Sequence, residues 1–271
     1  MIKLATYNIQ YCMGLDEKID PDRIADAVGG ADILALQEVD RFWERSEDQD
    51  QVKELTRRLP HVHHVFAPGI DVHHPRLGRR QHGVMILSRW PILSHRAAPL
   101  PMRPHPDLFV GQSLLQEAVI ATPEGVLRLY NTHFNYGDEA LIAEQAAFSA
   151  AVMRQALQAG GVWGGGNIGR DKSNGDDPPP MPETTVLVGD LNVGPTSDAY
   201  RILMRSGLVD PWVSLGQSEE GVTSSHLDDK RLDHVLCTED CISDDAQMWI
   251  DTKAVGSDHM PVWLQFQPGA A

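Results

Sequence analysis

A short apolar run that stops abruptly at a polar residue recurs along this chain. It begins at Lys3 to Ile9 and returns at Ile33-Leu34-Ala35-Leu36-Gln37-Glu38, Val84 to Ser88 and Leu127 to His133. It returns again at Thr185 to Asp190, Leu232 to Leu236 and Pro261 to Leu264. Each run is too short for a helix, rich in branched side chains and bounded by Gly, Pro or Asp, so each reads as a buried strand. A carboxylate, amide or imidazole at the end of such a strand is costly to bury and must emerge where it is solvated or paired. Asn8, Glu38, His133, Asp190, Asn192, Asp233, Asp258 and His259 all stand in such places.

Helical segments alternate with the runs. Asp20-Pro21-Asp22 supplies a cap and a first-turn proline, Ile24, Ala27 and Val28 give an apolar stripe, and Gly29-Gly30 stops it. Gln51 to Leu59 reads as a second helix, ended by Pro60. The longest spans Asp138 to about Ala159, with Leu141, Ile142, Phe148, Val152 and Leu157 as its apolar face, and Asp198 to Ser206 is a fourth. Strands alternating with helices indicate an α/β sandwich. Leu4-Ala5-Thr6-Tyr7-Asn8 resembles Leu127-Arg128-Leu129-Tyr130-Asn131, as the run ending in Glu38 resembles the one ending in Asp190. That likeness hints at two related halves packed sheet to sheet.

The whole chain, residues 1–271, reads as one domain. Residues 160–184, with Gly164-Gly165-Gly166 and Pro178-Pro179-Pro180, cannot supply a core and read as a mobile surface insertion; a lid over the site is the rival reading. With 38 acidic against 23 basic residues the net charge is −15. That disfavours a broad basic face for nucleic acid without excluding a nuclease that relies on a metal and local arginines. Cys12, Cys237 and Cys241 read as buried free thiols, because Cys237 and Cys241 lack a second ligand pair at a zinc spacing. The N-terminus has no signal-peptide core and no apolar run is long enough to span a membrane, so a cytoplasmic protein is expected.

Taken singly, the strand-end residues have structural explanations: Asn8 as a turn cap, Glu38 as a partner of Arg41, His133 as a core histidine. Together they are the parts of a divalent-metal phosphoryl site, with hard oxygen ligands, amide donors and two histidines. In order along the chain stand Thr6-Tyr7-Asn8-Ile9, Leu36-Gln37-Glu38-Val39, Gly83 to Arg89 and Asn131-Thr132-His133-Phe134. Val188-Gly189-Asp190-Leu191-Asn192, Arg231-Leu232-Asp233-His234 and Ser257-Asp258-His259-Met260-Pro261-Val262 complete the series. This ordered set resembles the endonuclease/exonuclease/phosphatase superfamily, which has the deoxyribonuclease-I-like fold. The resemblance implies a four-layer α/β/β/α sandwich, two packed mixed β-sheets with helices outside, and a site at the top of both sheets.

It also implies roles. Glu38 would hold one Mg²⁺ or Mn²⁺, with Asn8 in the coordination sphere or beside it, and Asp258 would bind a second metal or buttress the first. His259 would be general base with Asp233 fixing its tautomer. Asp190 would orient the nucleophile or contact metal, and Asn192 and His133 would donate to phosphate oxygens. The reaction would be in-line attack of water on phosphorus. Two departures stand out: His234 replaces the usual aromatic after the motif aspartate, and Ser224-Ser225-His226 makes the substrate-facing loop unusual.

The shared motifs do not choose a substrate; loops do. Arg76, Arg79, Arg80, His82 and Arg89 form an Arg-rich loop before a motif strand, and Arg79, Arg80, His82 and His226 are the substrate-binding candidates. The His61 to His64 and His73-His74 clusters could take transition metals. The acidic balance favours a small or lipid-like phosphoester as substrate, with DNA or RNA as the alternative and a non-catalytic binding module more remote.

Overall fold

The structure, a computed structural model, describes residues 1–163, 177–218, 221–225 and 230–268. Eleven strands form two sheets. The first has the order β10-β11-β1-β2-β4-β3, built from β1 (Ile2–Asn8), β2 (Ile33–Arg41), β3 (His63–His74), β4 (Gly78–Ser88), β10 (Gln247–Ile250) and β11 (Val262–Phe266). The second has the order β5-β6-β7-β8-β9, from β5 (Ile92–Pro99), β6 (Leu114–Thr122), β7 (Gly125–His133), β8 (Thr185–Asp190) and β9 (Asp233–Cys237). In each sheet the central pair is parallel, β1 beside β2 and β7 beside β8, and antiparallel strands flank it. Both parallel pairs therefore end together, and a polar residue at those ends points out of the same rim.

Three apolar clusters explain the layering. Ile2, Leu4, Ile33, Ala35 and Ile86 of the first sheet meet Leu127, Leu129, Val186, Val188 and Val235 of the second between the sheets. The outer face of the first sheet packs on α1 (Pro21–Val28) and α2 (Gln51–Arg58) through Ile24, Val28 and Leu55. The outer face of the second packs on α3 (Glu139–Ala159) and α4 (Asp198–Met204) through Ile142, Ala146, Met153 and Leu203. The result is the four-layer α/β/β/α sandwich. Side-chain caps start the helices as their sequences suggest: Asp20 accepts from Asp22 N, Asp138 from Leu141 N and Ser197 from Tyr200 N.

Four departures have physical causes. The Arg-rich stretch expected as a loop is strand: β3 and β4 form a long hairpin reaching beyond the core, where polar side chains alternate without a buried face to mark them. The central run of β6 is interrupted by Gln116 and Glu117, both buried because they are bonded, Glu117 by Arg96 and Tyr130. Along α3 the buried face is made largely of small residues, Ala146, Ser149, Ala150 and Ala156, which let the helix sit close to the sheet, while Leu157 is exposed. Two members of the histidine clusters are structural: His61 bonds the Ala31 carbonyl and His74 Nδ1 accepts from the backbone N–H groups of Arg76 and Leu77. Cys12, Cys237 and Cys241 are free and buried. Most of the Gly/Pro-rich insertion, 164–176, lies outside the described residues, and so does any test of its mobility. No described helix is long and apolar enough to cross a membrane.

Candidate active site

At the open end of the two parallel pairs, side chains from both sheets converge. Asn8 closes β1, and its side-chain oxygen accepts from Gln10 N at 3.1 Å. That bond turns the amide nitrogen inward, where it donates to Glu38 Oε1 at 3.1 Å and Asp190 Oδ2 at 3.0 Å. Asn8 is thus a clamp between two carboxylates, one from each sheet. Glu38 sits in a bulge of β2, where the register with β4 shifts between Leu36 and Val39, and its φ is 57°. A left-handed non-glycine residue costs about 1–2 kcal/mol, and such strain gathers where side-chain placement matters more than backbone comfort.

The second sheet supplies His133 and Asp190, which are cross-strand neighbours at the ends of β7 and β8. Asp190 Oδ2 is the hub. Besides the Asn8 amide, His133 Nε2 lies 3.5 Å from it and His259 Nε2 3.6 Å. His133 Nε2 also lies 3.9 Å from Glu38 Oε1, across the gap between the sheets. Asp190 Oδ1 accepts from Asn192 N at 2.8 Å, and Asn192, left-handed at φ 52°, donates one side-chain N–H to the Phe134 carbonyl. One amide hydrogen of Asn192 remains for a ligand.

His259 Nδ1 donates to Asp233 Oδ2 at 2.7 Å, which leaves Nε2 facing Asp190. Asp233 is wholly buried, and burial pushes its carboxyl pKa up. Burial opposes charge on His259 too, yet the Asp233 and Asp190 carboxylates prevail and raise its pKa to about 10. The two carboxylates thus favour the protonated ring of His259. Asp190, Asp233 and His259 place ligand atoms within 4.8 Å of one another. Asp233 is already committed to His259, so a hard cation finds better oxygen donors in Asp190 and the more open Glu38.

Sequence reasoning missed several residues that hold this arrangement. Ser257 Oγ donates to the Asn8 carbonyl at 2.7 Å and accepts from His259 N at 3.2 Å, tying the His259 loop to β1. It also lies 3.2 Å from Asp258 Oδ1, and the Asp258 carbonyl accepts from Ser225 N and Oγ. Thr223 Oγ1 accepts from the backbone N–H groups of Leu232 and Asp233. Behind them Arg231 Nη1 pairs with Asp210 Oδ2 at 2.8 Å, both side chains 1% exposed. These polar residues are short-range punctuation in the sequence, and only the fold reveals their partners. His234 points the other way from Asp233, is fully buried against Tyr200 and the Val193 carbonyl, and burial lowers its pKa to about 4. It is a neutral core ring and adds no titrating group to the site.

The substrate-binding candidates divide. Arg79 is bound to Asp71, Nε to Oδ1 at 2.6 Å, on the face of β4 opposite Arg80 and His82. His82 Nδ1 lies 2.7 Å from Asp40 Oδ1, and the Arg80 guanidinium stacks 4.9 Å from the Trp43 ring. His226 lies outside the described residues.

The sequence model of the Endonuclease/Exonuclease/phosphatase family matches residues 5–259, from β1 to the His259 loop. No curated protein matches the chain. Among solved structures, an endonuclease/exonuclease/phosphatase from Beutenbergia cavernae DSM 12333 superposes with a TM-score of 0.73 at 20% identity, over 100% of this chain and 72% of that one. The human nocturnin catalytic domain with bound sulfate gives 0.64 at 16% identity, over 98% and 93% of the two chains. A mannosyl-6-phosphatase from Bacteroides thetaiotaomicron VPI-5482 gives 0.61 at 16% identity, over 98% and 99%. Identities this low establish a shared fold only. The family match carries the assignment further, because it runs through both sheets and every strand end that builds the rim: this chain belongs to the endonuclease/exonuclease/phosphatase family.

Proposed function

We propose that the chain is a divalent-metal-dependent phosphoester hydrolase in which His259 is the base. The observation that carries this reading is the convergence on Asp190 Oδ2 of His259 Nε2, His133 Nε2 and the Asn8 amide, with Glu38 approaching from the other sheet. Glu38 and Asp190 fit Mg²⁺ or Mn²⁺ because both are hard oxygen donors joined through the Asn8 amide across the gap between the sheets, and Asp258 is a second-cation candidate. Such a cation, when bound, supplies positive charge for the non-bridging phosphate oxygens.

The remaining steps belong to the chain. With a cation held by Asp190, one of the two carboxylates that favour the imidazolium would be offset, and Nε2, which faces Asp190, is the nitrogen placed to take a proton from water. Asp233 holds the opposite nitrogen as Nδ1–H, so the accepting lone pair stays on Nε2. Asp190 orients that water, and the oxygen attacks phosphorus as the ester oxygen leaves and takes a proton from solvent, to which His259 then returns its own. His133 and the spare N–H of Asn192 donate to phosphate oxygens where charge gathers; one such donor is typically worth about 10²–10³ in rate. The net charge of −15 supports a small or lipid-like phosphoester over duplex DNA, since few phosphates could be neutralised at once.

A panel of p-nitrophenyl phosphate, bis-p-nitrophenyl phosphate, inositol phosphates, sphingomyelin and plasmid with Mg²⁺ or Mn²⁺ tests this. Turnover of at least one small phosphoester is expected, with a loss of about 10²–10⁴ in His259→Gln at unchanged folding. Plasmid nicking without small-substrate turnover would reverse the substrate class, and undiminished turnover in His259→Gln would remove it as base.

A further inference from the structure

Beside Glu38 the rim carries a group of cationic and aromatic side chains that the hydrolytic steps do not use. Arg45 is 43% exposed, yet its conformation is held. Its Nε and Nη2 bind both oxygens of Asp40, at 2.8 and 2.9 Å, and Asp40 is fully buried two residues beyond Glu38 on β2. His82 Nδ1 grips Asp40 Oδ1 from β4. The Arg45 guanidinium lies 4.5 Å from the Tyr11 ring and 5.3 Å from the Trp43 ring, and Arg80 stacks 4.9 Å from Trp43. Arg80 has no carboxylate partner among the described residues, whereas its neighbours Arg76 and Arg79 are paired with Asp48 and Asp71.

The backbone gives independent support. Left-handed φ values at non-glycine residues occur at Gln10, Tyr11 and Cys12, at Glu38, and at Phe42, Glu47 and Asp48, with Glu17 and Asn192 the others among the described residues. Strain at non-glycine residues is thus concentrated in the two segments that present Tyr11 and the Trp43–Arg45 pair next to Glu38. Tyr11, three residues beyond Asn8 and under the Arg45 guanidinium, joins this ledge to the rim.

We infer that the Tyr11–Arg45–Trp43–Arg80 ledge binds a second anionic group of the substrate, so that the natural substrate is a small molecule carrying two phosphates. The inference rests on the hydrolase reading, which identifies the Glu38–His259 centre as the place of the first phosphate. Arg45 keeps the side of its fork that Asp40 does not use, Arg80 brings charge that no carboxylate among the described residues pairs with, and the aromatic faces fix both planes. An anion here would be met by cations, while the rest of this acidic chain repels it.

Calorimetric binding to the full-length, Mg²⁺-loaded His259→Gln protein tests this separately from turnover. Ethyl phosphate is compared with flexible diol bisphosphates from ethanediol to hexanediol, which serve as a ruler between the two positions. At least one bisphosphate is expected to bind about tenfold or more tighter than ethyl phosphate. Arg80→Met should remove most of that gain. Arg45→Lys, which keeps a charge for buried Asp40 but not both hydrogen bonds to it, should reduce the gain with some loss of thermal stability, whereas Arg80→Met should leave thermal unfolding unchanged. No tighter member in the series, or a preference that survives both substitutions, would overturn the inference. So would adenosine monophosphate binding that is lost in Trp43→Ala yet indifferent to Arg80→Met, since the ledge would then be a stacking platform for a ring. Failure of the hydrolase reading shows elsewhere, as absent turnover across the substrate panel in the wild-type chain.

Discussion

The two sheets share a plan and use it differently. Each places a parallel pair at its centre, β1–β2 in one and β7–β8 in the other, with antiparallel strands on either side. Each parallel pair ends in a carboxylate at the rim, Glu38 or Asp190. The second sheet buries its chemistry: Asp190 is 2% exposed and Asp233 not at all, and both are tied to histidines. The first leaves Glu38 at 22% exposure on a strained bulge, with a half-exposed ledge of Tyr11, Trp43 and Arg45 alongside. Proton transfer needs a dry, held geometry, whereas cation entry and substrate selection need an open side. On the hydrolase reading proposed above, the two sheets divide the labour, a buried half for proton chemistry and an exposed half for recognition.

The largest effect that could break this division comes from paired substitutions. Asp233→Asn removes the acceptor that keeps His259 Nδ1 protonated, and a wrong tautomer at such a pair costs about 10⁴ in kcat. Added metal should recover none of it. Glu38→Gln removes charge from the open side, so the apparent Mg²⁺ requirement should rise by about tenfold to a hundredfold and activity should partly return at high metal. Metal titrations of both variants on one small phosphoester check this. Recovery of Asp233→Asn by metal, or none for Glu38→Gln, would show that the halves are not separate in this way.

A smaller effect concerns what joins the sheets. The Gln37 side-chain amide donates to Asn131 Oδ1 at 2.7 Å and to Thr6 Oγ1 at 3.0 Å, while Asn131 Nδ2 reaches the Leu36 and Met85 carbonyls at 3.1 Å. Asn131→Leu would strand these buried groups and cost about 1–3 kcal/mol. Denaturant unfolding should register that loss, while turnover per folded molecule changes by less than about tenfold. A much larger fall in turnover would mean that the clasp sets rim geometry as well as stability.

Asn131 also shows what the sequence could reveal. Leu4-Ala5-Thr6-Tyr7-Asn8 and Leu127-Arg128-Leu129-Tyr130-Asn131 look alike, and the strand likeness is real, since β1 and β7 hold corresponding places in the two sheets. Yet Asn8 stands beside Gln37, one residue short of Glu38, whereas Asn131 stands beside Val188, two short of Asp190. That difference in depth turns one amide into a rim clamp and the other into a buried clasp. Strands with apolar runs and polar ends were legible because burial writes them into composition. Of the β3–β4 hairpin only Val84 to Ser88 was legible, because the rest leaves the core and its alternation separates polar from polar. The Arg45–Asp40–His82 group was not legible, since its members are brought together only by the pairing of β2 with β4.

The smallest expected effect isolates the strain at Glu38. Its φ of 57° lies where glycine rests without penalty and other residues do not, and the bulge exists to turn its side chain toward the second sheet. Glu38→Gly should therefore stabilise the metal-free chain by about 1 kcal/mol, less a fraction for the greater freedom glycine has when unfolded. For a chain of this size that corresponds to a rise of about 2–4 °C in Tm. The same variant should lose nearly all metal-dependent turnover. Calorimetric scans in chelator, beside activity measured with Mg²⁺, read both. Asn8→Ala supplies the control, because it removes a neighbour of Glu38 without relieving the backbone and should lower Tm instead. Opposite signs in the two variants would identify backbone strain, held in place by the first sheet, as the local cost of aiming a carboxylate across the gap. A fall in Tm for Glu38→Gly would mean that the bonds of Glu38 to Asn8 outweigh its conformation, and that the open half is held by its contacts just as the buried half is.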